Sequence, residues 1–407
     1  YRDIVQLTLM DDYTNTGLHY EAWRYYYRII RSANTVIDGL GGQDAVPTLD
    51  ENKYVMGQAK AMRAHSYFYL TQLFAIQYEA DKEILPIYTN TQQKNQPKSK
   101  ASDVYALMVK DLEDAITLMN GYVRPSKTEV DANIAKVILA YVLASRNEGT
   151  DMATAKTLTN EVITAGGYTL CSVNDLIGDP LNFAGTGGFN NIATPSWMWG
   201  ADLTSDQGLD LVSWWGQMDY YTYSYQWAGD RKVIDNGLFA SIPAADVRKS
   251  QFDTSDPNVP GTLMPYRKFY DPARTAGGQR FILTDYLYMR IEEVYLLCAD
   301  AAARSGDEAL ARTRLKEMLA NRIPDTSYID GLSGDALKNE IYLQTRIELW
   351  GEGKAYLAMK RNKYNVQRGS NWAFSPGITI NYDDTRLTFS VPQSEIQNNA
   401  FIEEGNK

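Results

Sequence analysis

Between Trp197 and Trp227 the chain concentrates five of its eight tryptophans and four tyrosines, nine aromatic rings in 31 residues. Such rings offer flat apolar faces, and the indole N–H and phenol O–H add polar handles. That chemistry suits a sugar held in water: its C–H faces stack on a ring while its hydroxyls hydrogen-bond to neighbours. The stretch divides in two. Trp197 and Trp199 alternate across Met198 as on a short strand and read as packing. Trp214, Trp215, Tyr220, Tyr221, Tyr223, Tyr225 and Trp227 are interleaved with Gly, Ser, Thr and Gln and are the candidate ligand-binding rings, since contiguous exposed aromatics mark interaction surfaces. Tyr221, Tyr223 and Tyr225 alternate with Thr222 and Ser224, a pattern that suits a half-buried strand or a ligand-facing loop. Gln217, Asp219, Asp230 and Arg231 are the candidate hydrogen-bonding partners.

Other chemistries lack their residues. Two histidines, His19 and His65, and two distant cysteines, Cys171 and Cys298, form no CxxC or HExxH, which argues against a zinc site. There is no G-x-S-x-G elbow, no G-x-G-x-x-G and no G-x-x-x-x-G-K-[ST], so neither a serine nucleophile nor a nucleotide cofactor has its usual cradle. No cofactor and no metal are expected. A net charge of −10 argues against nucleic acid as a partner. Glu348 and Glu352 share a helix face and Glu292 and Glu293 diverge around one. Both pairs read as structural, with Arg346 the expected counter-charge of the first. Cys298 reads as a small core hydrophobe; a bond to Cys171 stays open at this point.

These groups need a scaffold. Ile134, Val137, Ile138, Tyr141 and Val142 recur at helical spacing, as do Leu112, Ala115, Ile116 and Met119. Further helices are predicted at about 20–38 and 52–79, from an Asp151 N-cap to Thr164, over 285–320 with a break at Gly306-Asp307, and as a pair at 335–361. The break at Gly306, with Ala299, Ala302 and Ala311 around it, has the look of a tetratricopeptide helix pair. Residues 166–284 show little sustained periodicity, and a structureless stretch of that length is usually functional. Short strands are predicted at 378–382 and 387–392. The fold class expected is mainly α, with tetratricopeptide-like helix pairs as scaffold, long irregular insertions and a few short strands. No run approaches the ~18 apolar residues of a membrane span. The chain opens at Tyr1 without an initiator Met, so targeting signals are expected upstream of it.

Several segments together resemble one family, the SusD/RagB-like surface lipoproteins of nutrient uptake systems. WRYYYRIIRSAN resembles its W-x-x-x-Y…I-x-x-A-N helix through Trp23, Tyr27, Ile30, Ala33 and Asn34. AKAMRAHSYFYLTQLF resembles its A-x-x-L-R-A-x-x-Y-F-x-L-x-x-L-F helix, with Met62 for Leu. DYLYMRIEEVYLLCADAAARSGD and RIELWGEGKAYLAMKR resemble two later helices. Among their departures, Glu292 stands for Ala, Asp300 for Glu, Lys354 for Arg and Ala358 for Asp. VIDNGLFASIPAADVRKSQF and VPQSEIQNNAFIEEGN are similar to its I-P stretches.

The resemblance implies one SusD-like domain over 1–407. Its helical scaffold would span about 20–165 and 285–361, with a ligand-face insertion at about 166–284 and a C-terminal segment at 362–407. It implies a non-enzymatic protein at the cell surface, held to the outer membrane by an N-terminal lipid anchor absent from this chain. That protein would capture a glycan, or in some members a peptide, for a SusC/RagA-like TonB-dependent transporter. The loop before the first helix would also contribute, making Asp12, Asn15 and His19 weaker candidates. Two other classes compete. A helical-repeat protein-binding scaffold would have a grooved helical face and no aromatic loop; an all-helical glycoside hydrolase would need an acid and a base on opposing loops.

Overall fold

The computed structural model describes residues 6–7, 17–252 and 263–403. Five long helices come first: α1 (Leu18–Gly39), α2 (Asp50–Phe74), then after a hairpin of β1 (Glu83–Pro86) and β2 (Lys98–Lys100), α3 (Ala101–Leu118), α4 (Ala132–Arg146) and α5 (Asp151–Ala165). Each packs on the next. The predicted stripe on α4 is buried in full. Asp131 caps that helix by accepting from the Ile134 N–H, and left-handed Asn147 ends it. Arg63, buried on α2, pairs with Asp111 of α3 at 2.7 Å and donates to Asn34 of α1 at 2.7 Å. The Asn34 amide in turn donates to the Tyr88 carbonyl. Arg63 and Asn34, two motif residues, therefore lock three helices together.

Four helices complete the scaffold: α9 (Ile291–Arg304), α10 (Glu308–Leu319), α11 (Gly334–Glu348) and α12 (Lys354–Asn362). Gly306, at φ +87°, and the Asp307 cap on Leu310 make the predicted break between α9 and α10. Helix α9 packs against α4 and α5, so Val294, Leu297 and Ala301, with Leu357 of α12, share one core with Ile134, Ile138 and Val142. The fold is mostly helical, as expected.

Between these halves the chain is irregular. It carries the short helices α6 (Val173–Ile177), α7 (Trp214–Met218) and α8 (Asn236–Ser241). Strand β3 (Trp197–Ala201) pairs antiparallel with β4 (Tyr286–Arg290), putting Trp197 opposite Arg290. Trp197 and Trp199 are both buried. Past the scaffold, β5 (Val366–Gln367) pairs with β6 (Thr379–Ile380), and α13 (Gln393–Asn398) follows.

Some boundaries differ from expectation. Residues 286–290 are β4 rather than helix, because they pair with β3. Thr150, not Asp151, occupies the N-cap of α5; the Asp151 carboxylate takes Arg146 and the Glu148 N–H instead. The 387–392 segment makes no strand, since its Phe389 N–H is donated to the Leu73 carbonyl at the end of α2. Both cysteines are free and buried, Cys171 against the Ser196 hydroxyl.

A buried ion network ties the irregular middle to the helices. Glu348 accepts from Arg322 (2.9 Å), Arg290 (2.8 Å) and Arg248 (3.1 Å). Arg290 also pairs with Glu352 and Glu292, Arg322 with Glu292, Lys268 with Glu352, and Arg248 with Asp246. Four cations face four carboxylates, so the cluster is neutral although sealed from water. Arg346, the expected partner of Glu348, instead lies over the Tyr342 ring. Asp300 and Lys354, which depart from the family pattern, keep ionic roles with Arg361 and Glu293.

His65 packs edge-on to Trp199 at 5.1 Å and beside Tyr69. Burial, with the Lys354 charge adding to it, lowers its pKa to about 3. The unfolded chain then takes up a proton near pH 6.5 that the folded chain refuses, so stability falls as pH drops from 6.5 toward 3. The slope is at most about 1.4 kcal/mol per pH unit. His65→Phe should flatten the stability profile in that window, measured by denaturant unfolding; a slope equal to the parent's would contradict this.

Candidate functional site

The aromatic segment leaves α7 and folds into a loop over 219–232. Asp219 organises it. Its buried carboxylate accepts the Tyr221 N–H at 2.8 Å and the Asp271 N–H at 3.0 Å, and its carbonyl accepts the Ser224 hydroxyl. Burial pushes this carboxyl up to about 8, against the pull of those two N–H groups. Gln226 bonds the Lys232 backbone in both directions. The Ser224 hydroxyl accepts the Trp227 N–H. Outside the loop, the Gln279 carbonyl accepts the Tyr223 N–H (3.0 Å) and the Gly216 carbonyl accepts the Tyr225 N–H (2.8 Å).

These bonds invert the usual alternation. Thr222, Ser224 and Gln226 point inward and are buried, whereas Tyr223, Tyr225 and Trp227 stand exposed at 42%, 37% and 39%. Ser224 and Gln226 are consumed by the loop's own backbone, and the rings are left to solvent as a ridge. The Tyr223 and Trp227 centroids are 5.4 Å apart. Arg280 lies 5.9 Å from the Tyr223 ring and Lys232 5.9 Å from the Tyr225 ring. Trp227 rests on Gly277, where a Cβ would come within 2.3 Å of the indole. Only glycine gives the ring that seat.

Beside the ridge opens a polar cleft of about 740 Å³. Gln279 joins the two: its carbonyl holds Tyr223, and its amide donates to Asp271 in the cleft lining at 2.6 Å. Asp271 also accepts the Ala273 N–H, and Asp285 accepts those of Ile192 and Leu203. These carboxylates hold loops in place. Asn190 also lines the wall, its amide donating to the Tyr270 carbonyl at 2.7 Å, and the Thr284 hydroxyl is buried behind it.

The other sequence candidates are placed elsewhere. Trp215 is fully buried and its indole donates to the Asp285 carbonyl, so it supports the loop and cannot stack on a ligand. Tyr220 and Tyr221 are buried too; the Tyr221 hydroxyl accepts from Arg274 at 2.6 Å. Gln217 and Asp219 are buried and face inward. Trp214 is half-buried and lines a separate aromatic pocket of about 360 Å³ with Phe189, Phe269, Tyr286 and Tyr288. Asp230 is exposed and paired with Lys232 at 3.0 Å. Arg231 is exposed and makes no side-chain hydrogen bond or ion pair among the described residues. Asp12 and Asn15 lie outside the described residues, and His19 is buried. Gln279, Arg280 and Asp271 went unread in the sequence, because they reach the site from some 50 residues downstream with no local motif.

Among the described residues no group of three or more His, Cys, Asp or Glu is placed to hold a metal ion, and no helix is long and apolar enough to cross a membrane.

Two family profiles match the chain. One, a SusD-like family described as starch-binding and associating with the outer membrane, matches residues 3–139; the other, the SusD family itself, matches 243–404. Together they span more than two thirds of the sequence. The chain belongs to the SusD/RagB-like family. Solved structures agree on the fold. A SusD-like carbohydrate-binding protein from Bacteroides vulgatus is 23% identical with a TM-score of 0.78, over 98% of this chain and 86% of that one. A SusD superfamily protein from the same species is 18% identical with a TM-score of 0.79, over 97% and 87%. One from Bacteroides thetaiotaomicron is 21% identical with a TM-score of 0.73, over 94% and 84%. No curated protein matches the sequence. As a SusD-like chain it is a nutrient-binding protein of a family associated with the outer membrane.

Proposed function

We propose that this SusD-like protein captures a glycan at the cell surface on the Tyr223–Tyr225–Trp227 ridge and passes it on unaltered. The observation that carries the reading is the inverted alternation at 222–227. A loop that buries its polar side chains and displays its rings gains nothing in stability from the display, because exposed aromatic surface is left unburied. The display makes sense as a stacking platform. The adjoining cleft, with Asn190 and Gln279 in its wall, supplies hydrogen-bonding groups for hydroxyls. A solved relative with the same fold is described as carbohydrate-binding.

The reading extends to its setting. The protein would be tethered to the outer membrane by a lipid on an upstream cysteine and would hand its ligand to a SusC-like TonB-dependent transporter. It would not be an enzyme: of the carboxylates lining the cleft, Asp175, Asp271 and Asp285 are committed to local N–H groups, which leaves Asp202 alone where hydrolysis requires an acid and a base astride the bond.

A glycan array probed with the protein tests the ligand class, and binding of no glycan would overturn the reading. Prolonged incubation with any glycan bound on the array should release no reducing ends. Product formation would contradict non-enzymatic capture.

A further inference from the structure

Away from the ridge, α1 borders a second groove, of about 500 Å³, closed by the 88–95 loop and α13. Arg24, Arg28 and Arg31 line it. Spaced at i, i+4 and i+7, they form one stripe about 10 Å long at ~1.5 Å per residue. All three are exposed, and none has an ion-pair partner among the described residues; Arg24 only approaches the Tyr20 ring at 6.0 Å. Lys94, also unpaired there, adds a fourth cation from the facing loop. The carboxylate in the lining, Glu395, is spent on the Trp23 indole (3.3 Å) and the Asn399 amide (2.8 Å). In a chain of net charge −10, four cations gathered on one concavity with one committed carboxylate make a local field of the opposite sign.

The walls are held in place. Thr91 donates through its N–H and hydroxyl to Asp38 of α1 (2.8 and 2.7 Å), Gln93 accepts the Thr89 and Asn90 N–H groups, and Asn95 donates to the Asn398 carbonyl. The Tyr27 hydroxyl donates to the Pro86 carbonyl at 3.0 Å, which fixes that ring in the lining.

We propose that this groove is a second ligand site, selective for saccharides that carry carboxylate or sulfate groups. Guanidinium forks bind both anions with paired, charge-assisted hydrogen bonds. A concave groove excludes a flat membrane surface, and the half-buried Tyr27 beside the arginines adds a ring to the lining, whereas Trp23 is buried beneath it. The proposal rests on the glycan-binding reading: the groove would take acidic saccharides and the ridge neutral ones.

The test is calorimetric titration with oligogalacturonides and chondroitin sulfate oligosaccharides, a neutral glycan bound on the array, and poly-glutamate. Parent protein, the triple variant Arg24→Ala/Arg28→Ala/Arg31→Ala and the ridge variant Tyr223→Ala/Trp227→Ala are compared. The arginines are exposed and unpaired, so the triple variant should fold, with melting checked alongside. It should bind one or both acidic oligosaccharides at least about tenfold more weakly and the neutral glycan as before. The all-lysine version should recover part of the loss, and added salt should weaken parent binding to the acidic ligands. Neutral glycan binding with no arginine-dependent acidic binding would overturn this inference and leave the ridge reading standing. No saccharide binding of either kind would overturn both. Poly-glutamate binding as tight as the acidic sugars, and equally arginine-dependent, would assign the groove to acidic peptides and overturn the saccharide proposal.

Discussion

Replacing Glu348 with Ala should cost about 3–5 kcal/mol of folding stability, the usual cost of leaving a buried charge without its partner. The carboxylate sits at 2% exposure and receives three guanidiniums. Without it, Arg322, Arg290 and Arg248 face one another with one charge uncompensated and no water to screen them. Burial alone would raise the Glu348 pKa, but Arg322, Arg290 and Arg248 outweigh it and hold the carboxyl well below the usual range. Its contribution is therefore present above the unfolded carboxylate pKa of 4.5 and is lost as pH falls below it. Glu348→Gln keeps the shape and removes the charge, so it should fall on the same side. Denaturant unfolding near neutral pH measures both. A loss under about 1 kcal/mol for Glu348→Ala would show that the network is incidental. The consequence reaches the site as well. Arg248 and Lys268 belong to the irregular middle, and the Cys171 carbonyl accepts from Arg322 at 3.2 Å. Freed from Glu348, that region loses its register on α11, and ligand binding should weaken even though no ridge residue has changed.

The helical scaffold was legible in the residues because its cause is local. The stripe on α4 and the Gly306-Asp307 break act within a few residues of chain. The counter-charges of Glu348 do not: Arg248 and Arg290 lie 100 and 58 residues away, whereas Arg346, two residues off, looked like the partner and is not. The site was half legible for the same reason. The alternation of Tyr221, Tyr223 and Tyr225 was visible, but its sense was not. Which side faces out is decided by Asp219, Ser224 and Gln226 taking up backbone groups, and by Gln279 arriving from a distant segment. Trp214 and Trp215 show the limit most plainly. They are adjacent and chemically identical, yet one lines a pocket and the other is sealed in the core because its indole reaches the Asp285 carbonyl.

The ridge carries the second large effect. Tyr223 and Trp227 are neighbouring exposed rings whose removal leaves the loop's hydrogen bonds intact, since those run through backbone and buried polar side chains. Aromatic anchors of a binding surface are worth about 2 kcal/mol or more each when truncated, so the pair should account for roughly 3–4 kcal/mol, a few hundredfold in affinity. Trp215→Ala would also reduce binding, but through unfolding of the loop, and therefore cannot separate the two roles. The decisive measurement is calorimetric titration of the parent and of Tyr223→Ala/Trp227→Ala with the neutral glycan bound on the array, with the melting temperature recorded for each. The account predicts affinity at least about a hundredfold weaker with melting unchanged. Equal affinity in the two proteins, both folded, would contradict it and move the glycan site off the ridge.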